Sequence, residues 1–482
     1  MTMTKGKKIA LLAFTSVLGV VALAGGAVYL WYSTGGLQEA LLRKVGEKIV
    51  TNQSEMNLVQ DVMGFSRPRT YLLLFLNNTE LRPGGGFIGA YAVVRVDRGM
   101  PQLLKVEGTE ILDNTAPKDF ISIPPEPLKK YLSINRWNFR DSNWSPDFAA
   151  SAFKSLELYQ KERGLAAESL DAVIGFTPNV FEEVLKLTGP VKVNGEEFNS
   201  QNLTEKLEYE VEYGYAAKGI DFDSRKKMLA DLSHAVLVKL GKNVLGNWTA
   251  YLTLAEKMLA EKHLVGYAMV PQWESVIAAK HWGGLMDQTY PGDYLLWADA
   301  NLASLKTDLA IDRTLSYVIK PSGASNFTAA AKMTYIHRGK FDWRTTRYRT
   351  YARIFVPLGS KLIKVTGALK NDRTTDPGVI DQGTENGRQW FGAFIAIEPG
   401  KTGELSFEYQ LPSEIVQKIK AGSYDLLTQK QIGTIANKFI LDLDFGKKLT
   451  SANPSEKPEQ LGDSRYQQST DLRVDREFEV KL

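Results

Sequence analysis

The sequence predicts an α/β domain followed by a C-terminal β-sandwich, with one N-terminal transmembrane helix. Three observations predict this arrangement. Residues 9–31 are apolar and uncharged, strands alternate with helices over residues 67–304, and strands with period-2 alternation dominate residues 305–482. Alternating strands and helices are typical of an α/β domain. Regular short strands separated by turn residues are typical of a sandwich.

The N-terminus is predicted to anchor the protein in the lipid bilayer. About 20 apolar residues span a bilayer as a helix, and residues 9–31 carry no charge. Lys5, Lys7 and Lys8 precede this run, which predicts that residues 1–8 form a cytoplasmic tail and that the bulk of the chain is extracytoplasmic. A cleaved signal peptide is the alternative, since Ala22-Leu23-Ala24 resembles a cleavage site.

The remaining chain divides into three predicted parts. Residues 36–66 form a juxtamembrane helix, residues 67–304 the α/β domain and residues 305–482 the β-sandwich. Residues 451–468 are polar and contain two prolines, which predicts a flexible excursion from the sandwich. Alternation then returns and predicts a buried closing strand, whose inward face would consist of Leu472, Val474, Phe478, Val480 and Leu482.

Composition argues against several classes of function. The chain of 482 residues has a net charge of +4, and three of those charges lie before the anchor, so the nearly neutral body argues against a nucleic-acid partner. The absence of cysteine excludes disulfides and thiolate metal sites. The four histidines do not have metal-ligand spacing. The sequence has no Walker A loop and no G-x-S-x-G elbow.

A glycine-rich stretch raises the question of a nucleotide cofactor. Gly84, Gly86 and Gly89 match G-x-G-x-x-G, but that fingerprint requires a strand before it and a helix after it. Residues 71–76 read as a strand, and residues 91–96 read as a second strand because they are rich in valine. No nucleotide cofactor is therefore expected. The glycines are predicted to permit a bend or a close approach of the backbone.

Three polar clusters are candidates for a ligand site. The first lies directly after the first strand, at the sheet edge where α/β proteins bind ligands, and contains Asn77, Asn78, Glu80 and Arg82. The second contains Arg140, Asp141, Asn143 and Asp147. The third opens an amphipathic helix and contains Asp221, Asp223, Arg225, Lys226 and Lys227.

The third cluster is unfavourable for its own helix, because cations at a helix N-terminus oppose the macrodipole. Asp221 and Asp223 would offset these cations locally, whereas a bound phosphate would offset them as a ligand. Carboxylate oxygens in the other two clusters are suitable ligands for Mg²⁺, and we assign that role to Glu80 and Asp141. Asp147 has the alternative role of capping the helix that follows it.

Six ordered blocks of sequence resemble a bacterial membrane-anchored family known as domain of unknown function 4012. They include "YLLLFLNNTELRPGGGFIGAYAVVRVDRG", "RDSNWSPDF", "LDAVIGFTPNVFEEVLKLTGPVKVNG" and "YDLLTQKQIGT". The resemblance extends over most of residues 65–450. The family name implies a bacterial envelope protein but no activity.

A more distant resemblance, in the order of elements over residues 71–240, is to the LytR-CpsA-Psr domain. That family implies a three-layer α/β fold and transfer of a glycopolymer from a polyprenyl-pyrophosphate carrier to peptidoglycan. Its arginines hold the pyrophosphate and its aspartates hold Mg²⁺. Arg225 is the best counterpart of those arginines. The family's Arg-Ser-Asp-Thr motif is absent, since residues 85–88 read Gly-Gly-Phe-Ile.

Two hypotheses for function follow. In the first, the protein binds, and as an enzyme transfers, a lipid-linked pyrophosphate glycan. Its catalytic residues are then Arg140, Asp141 and Arg225, and its ligand-binding residues are Asn78, Glu80, Arg82, Asn143 and Lys226. In the second, the protein is a non-catalytic scaffold or adhesion protein of the cell envelope. The sequence leaves open the substrate, the acceptor, the oligomeric state and the role of the sandwich.

Overall fold

The structure is a computed structural model that describes residues 53–221, 225, 227–244, 247–323, 326–457, 460 and 462–482. The predicted tail, the anchor and part of the juxtamembrane helix lie outside the described residues, as does Lys226. Within the described ranges, no helix is both long enough and apolar enough to cross a membrane. The protein is mixed α/β with several sheets, and its C-terminal half is mostly β, which confirms the predicted fold class at this level.

The first half of the described chain alternates strands and helices. Its strands are β1 (Arg69–Asn77), β2 (Phe87–Asp97), β3 (Met100–Gly108), β4 (Ala172–Phe176), β5 (Val191–Val193), β6 (Glu196–Phe198) and β7 (Leu264–Ala268). Its helices are α1 (Gln53–Val62), α2 (Thr109–Thr115), α3 (Glu126–Leu132), α4 (Phe148–Lys161), α5 (Pro178–Thr188), α6 (Leu203–Tyr209), α7 (Tyr215–Ala217), α8 (Lys227–Val244), α9 (Trp248–Ala260) and α10 (Pro271–Ala279). A π-helical segment, Glu210–Gly214, joins α6 to α7.

Five of these strands form a sheet of order β3-β2-β1-β4-β7. Strands β1 and β4 are parallel, and the other neighbours in the sheet are antiparallel. Side chains alternate between the two faces of a strand, and helices cover both faces here. Leu72 and Leu74 pack towards α4 through Phe148, whereas Tyr71 packs towards α10 through Trp273. Burial on both faces explains why the run "YLLLFL" has no polar positions.

The second half of the described chain consists mainly of strands. These are β8 (Asp293–Asn301), β9 (Ile311–Ser322), β10 (Asn326–His337), β11 (Tyr348–Pro357), β12 (Lys361–Thr366), β13 (Asp381–Glu385), β14 (Arg388–Ile397), β15 (Thr402–Gln410), β16 (Ser423–Gln429), β17 (Lys438–Asp444), β18 (Ser451–Asn453), β19 (Arg465–Asp471) and β20 (Arg476–Lys481). One helix, α11 (Ser413–Lys420), interrupts them. They form a six-stranded sheet, β12-β15-β10-β9-β17-β19, and a seven-stranded sheet, β13-β14-β11-β8-β16-β20-β18.

The two large sheets share one hydrophobic core. In β15, Leu405, Phe407 and Tyr409 are buried and the residues between them are not, as the period-2 pattern predicts. Phe407 contacts Trp297 of the other sheet, with ring centroids 5.7 Å apart. The alternating face of each sheet therefore packs against the other sheet.

The predicted closing strand is confirmed. Strand β20 pairs with β16 and β18 in the seven-stranded sheet. Leu472, Phe478 and Val480 are buried, while Val474 and Leu482 are half-buried. The C-terminus is thus part of the shared core.

Two predicted boundaries differ from the structure. Strand β8 belongs to the seven-stranded sheet, so the α/β region ends before Asp293 rather than at residue 304. Residues 451–468 do not form one flexible excursion, because β18 and the first part of β19 both lie in sheets. Tyr466 is buried there and its hydroxyl donates to the carbonyl of Pro454 at 2.7 Å. Glu456 is buried as well and accepts from the amide of Gln467 at 2.7 Å, so buried contacts hold the described part of this polar stretch.

Residues 428–434, at the end of β16, connect the two halves of the protein. The Gln431 amide donates to the carbonyl oxygens of Arg82 at 3.1 Å and Asp299 at 2.8 Å. The Asn78 amide donates to the carbonyl of Gly433 at 2.8 Å. This segment of the β-rich half therefore lies directly beside the residues that follow β1.

Candidate functional site

The glycine-rich stretch after β1 is a place where two backbone segments approach closely. Gly84 forms a β-bridge with Ile432. A Cβ atom on Gly433, whose φ is +82°, would lie 1.9 Å from the carbonyl oxygen of Gly85. A Cβ atom on Gly86 would lie 2.5 Å from the Asn77 carbonyl. Gly86 and Gly433 are therefore required for close backbone contact, whereas a Cβ atom on Gly89 would meet only the Phe87 ring at 3.8 Å. Strand β2 follows the glycines, where a dinucleotide site would need a helix.

The first polar cluster is held by long-range partners. Asn78 donates to Asn179 at 2.9 Å in addition to Gly433. Glu80 accepts from the ammonium of Lys306 at 2.9 Å. The Arg82 guanidinium is buried, donates to the carbonyl of Asn301 and lies 3.2 Å from Asp141. These side chains fasten the end of β1 to the β-rich half of the protein.

The second cluster contacts the first directly, through the ion pair between Asp141 and Arg82. Asn143 donates to the carbonyl of Gly86 at 2.6 Å. Asp147 caps α4 by accepting from the amide of Ala150 at 2.9 Å, and its other oxygen accepts from Met286. The capping role for Asp147 is confirmed.

Arg140 contacts a buried pair of carboxyl groups that the sequence did not reveal. Its Nε donates to Asp113 of α2, and about a third of its side chain faces solvent. Asp113 lies beside Glu162, and among the described residues each has one buried carboxylate oxygen without a hydrogen-bond partner. Burial and the nearby charge of Asp113 together raise the pKa of Glu162 to about 9. Glu162 therefore holds a proton at neutral pH.

The third cluster is described only in part, because Asp223 and Lys226 lie outside the described residues. Arg225 is described, and one of its terminal nitrogens lies 2.7 Å from Glu110 of α2. The sequence offered two ways to offset the cations of the third cluster, namely local aspartates or a bound anion. Neither of them involves Glu110.

Helix α2 therefore brings together arginines that are far apart in sequence. Glu110 and Asp113 are one turn apart and pair with Arg225 and Arg140, respectively. Arg136 donates to the main-chain carbonyl of Asp113 at 2.8 Å. We call Arg136, Arg140 and Arg225 the arginine group. Positively charged and partly exposed, it is the part of the predicted site with the chemistry to hold an anion.

The two predicted Mg²⁺ ligands are each paired with a different cation. Glu80 contacts Lys306, and Asp141 contacts Arg82. Among the residues described, no three histidine or acidic side chains are grouped so that they could hold a metal ion.

Sequence reasoning missed Asp113, Glu162 and Lys306. Asp113 lies in "TEILDNT" and Glu162 at the end of α4, where acidic residues are usually solvated. Lys306 is 226 positions from Glu80. One indication that α2 could pair with cations was present in the sequence. Glu110 and Asp113 lie three residues apart and therefore share one face of the helix.

The fold and these contacts define a mixed α/β protein in which an N-terminal sheet is fastened to two larger sheets, with an arginine group beside α2. Residues 66–212 match the family described as "Protein of unknown function (DUF4012)", which confirms the family predicted from the sequence blocks. This segment contains the first two polar clusters and Arg136. No curated protein matches the chain.

Several solved structures are similar over part of the chain. A putative nutrient binding protein from Legionella pneumophila is 8% identical, with 39% of this chain and 71% of that chain covered and a TM-score of 0.25. Protein gbs0355 from Streptococcus agalactiae is 11% identical, with 46% and 76% covered and a TM-score of 0.27. An M1 zinc metallopeptidase from Deinococcus radiodurans is 12% identical, with 36% and 42% covered and a TM-score of 0.17.

Proposed function

We propose that this protein is a membrane-anchored, extracytoplasmic protein of the cell envelope that binds a polyprenyl-pyrophosphate-linked glycan. In this proposal the α/β region is a LytR-CpsA-Psr-like three-layer domain, the two large sheets form a β-sandwich, and the N-terminal helix holds both at the bilayer. The observation that carries the proposal is the arginine group beside α2. Arginine binds the oxygens of a pyrophosphate in bidentate fashion, and Arg140 is partly open to solvent.

Binding is better supported than transfer. Glu80 and Asp141, the carboxylates that a transferase would need for Mg²⁺, are paired with Lys306 and Arg82 within the protein. A bound Mg²⁺ would have to replace Lys306 or Arg82 as the partner of these carboxylates. In this proposal Mg²⁺ binds together with the pyrophosphate, as a complex.

A second candidate function is the non-catalytic scaffold. The specific observation in its favour is that Asn78, Arg82 and Gln431 join the α/β region to the β-rich region through buried hydrogen bonds. Buried polar groups with satisfied hydrogen bonds are typical of a structural interface. On this hypothesis the first two clusters determine how the regions are fixed together, and a partner binds elsewhere.

The two candidates are separated by measuring ligand binding. We expect farnesyl pyrophosphate to bind the full-length protein in phosphatidylcholine nanodiscs, with a gain in affinity when Mg²⁺ is added. Arg140→Ala should weaken binding by about 10- to 150-fold, since hydrogen bonds to charged groups contribute about 1.5–3 kcal/mol. Arg140→Lys, which retains a cation beside Asp113, should weaken binding less because lysine is not bidentate.

The matched control is Arg338→Ala, which removes an exposed arginine from the β-rich region and should leave affinity unchanged. Melting temperatures of all variants establish that they are folded. If folded Arg140→Ala and Arg140→Lys both bind with the affinity of the parent, the pyrophosphate proposal is wrong and the scaffold function replaces it.

A further inference from the structure

A group of aromatic side chains lies on the surface next to the residues that follow β1. It consists of Tyr209, which precedes the π-helical turn, Tyr213, which lies within that turn, and Trp343 from the loop between β10 and β11. We call these three residues the aromatic patch. The two tyrosines are 48% and 47% exposed, which is unusual for large aromatic side chains that also contact each other.

The rings of the aromatic patch support each other. Tyr209 and Tyr213 are stacked, with centroids 6.3 Å apart. Each of them meets Trp343 nearly at right angles, with centroid distances of 5.7 Å and 5.5 Å. Residues four apart in a helical segment project on the same side, and π-helical turns are frequent at functional sites. The outer ring faces are thus held in place by mutual contact while remaining open to solvent.

Charged side chains border the aromatic patch in pairs. Arg344 lies 2.7 Å from Glu208 and 3.8 Å from Glu205. Lys306 lies 3.2 Å from Glu212 and also contacts Glu80. Glu205 and Glu212 still expose much of their side chains. The border therefore offers both hydrogen-bond donors and acceptors, from two cations and four carboxylates.

We propose that the aromatic patch binds a neutral sugar ring of a glycan. The C–H groups on one face of a pyranose pack against an exposed aromatic ring, and its hydroxyls both donate and accept hydrogen bonds. A cationic ligand fits less well, because the Arg344 guanidinium already lies over the Trp343 ring, 6.0 Å from its centroid. Binding of a protein partner usually needs a buried area of about 800 Å² on each side, which three rings do not supply.

This inference rests on the proposed function, since it assigns a position to the glycan part of the proposed ligand. Lys306 contacts both Glu80, in the first polar cluster, and Glu212, beside the aromatic patch. A glycan bound at the aromatic patch would therefore extend along the surface next to the end of β1.

The test uses neutral tetrasaccharides without phosphate, so that sugar binding is measured apart from pyrophosphate binding. Saturation-transfer NMR would be recorded on full-length protein in nanodiscs with chitotetraose, cellotetraose and mannotetraose. We expect at least one of them to bind, with the strongest transfer to the ring protons of one pyranose face. Tyr213→Ala and Trp343→Ala should each weaken that binding at least tenfold, whereas Tyr213→Phe, which keeps the ring, should retain most of it.

The matched control is Phe153→Ala, which removes an equally large exposed ring from α4 and should not change sugar binding. The inference is overturned if no tetrasaccharide binds, or if Tyr213→Ala and Trp343→Ala bind as the parent does. Farnesyl pyrophosphate binding is measured on the same samples. If the protein binds farnesyl pyrophosphate but no sugar, only the role of the aromatic patch is rejected. If it binds neither ligand, the proposed function is rejected as well.

Discussion

Lys430 shows how one residue can make stability depend on pH. It is fully buried where residues 428–434 meet the α/β region, and its ammonium donates to the carbonyl of Gln431 at 3.2 Å. Lys262 and Asp475 lie beside it and pair with each other at 2.7 Å. Burial and the nearby charge of Lys262 together lower the pKa of Lys430 to about 7. Asp475 and Glu261 act in the opposite direction but do not outweigh burial.

The pKa of Lys430 is thus lower in the folded protein than its ordinary value of 10.5. Between pH 7 and 10.5 the unfolded chain binds more protons at this lysine, so stability rises with pH across that window. Below pH 7 the folded protein bears the full cost of the buried charge. Lys430→Met should therefore increase the free energy of unfolding by a few kcal/mol below pH 7. The increase should shrink as pH rises towards 10.5.

Urea unfolding of both proteins between pH 5.5 and 10, followed by tryptophan fluorescence, measures this difference. Lys361→Met is the control, because Lys361 is exposed on β12 and should show no such dependence. An unfolding free energy of Lys430→Met that parallels the parent at every pH would rule out a titrating Lys430.

The local sequence predicted elements of secondary structure more reliably than it predicted tertiary contacts between them. Strands β1 and β2 and the helix that Asp147 caps were predicted because residue patterns and capping act within a few residues. Strand β19 was partly missed because its position depends on Tyr466, whose partners the local pattern does not contain.

The candidate site was predictable to the same limited extent. The sequence placed the first two clusters together, and the ion pair between Arg82 and Asp141 joins them in the structure. The carboxylate partners of Arg140 and Arg225 were not predictable, since α2 reaches both arginines only in the folded chain. Whether these residues form one anion site stays a prediction.

Strand β20 offers a test of how much one terminal element contributes to stability. Phe478 is buried and contacts Phe439 and Tyr466 of the opposite sheet, with ring centroids 5.9 Å and 6.4 Å away. Phe478→Ala should lower the free energy of unfolding by about 3–5 kcal/mol, the usual cost of removing a core phenylalanine. Glu477→Ala, at the adjacent exposed position, should change it by less than about 0.5 kcal/mol. Equal melting temperatures for the two variants would contradict a core role for β20.

At the scale of the whole molecule, the close contact between Gly85 and Gly433 joins the two halves of the protein. The β-rich half begins with β8 and ends with β20, yet residues 428–434 reach back to the end of β1. A ligand held at the end of β1 would therefore contact both halves.

The orientation of the whole molecule in the membrane is a prediction that the cysteine-free sequence makes easy to test. We expect Lys340→Cys, at an exposed position in the body, to react with a membrane-impermeant maleimide in intact spheroplasts. Thr4→Cys should react only after the membrane is permeabilised, because the lysines around it hold residues 1–8 in the cytoplasm.

The wild-type chain, which has no thiol, is the control for non-specific labelling. A cleaved signal peptide gives a different outcome, since the mature Thr4→Cys chain would then contain no cysteine and would stay unlabelled after permeabilisation. Protection of Lys340→Cys in intact spheroplasts would place the body in the cytoplasm. The arginine group and the aromatic patch would then have no access to an envelope glycan. Both the predicted topology and the proposed function would be wrong.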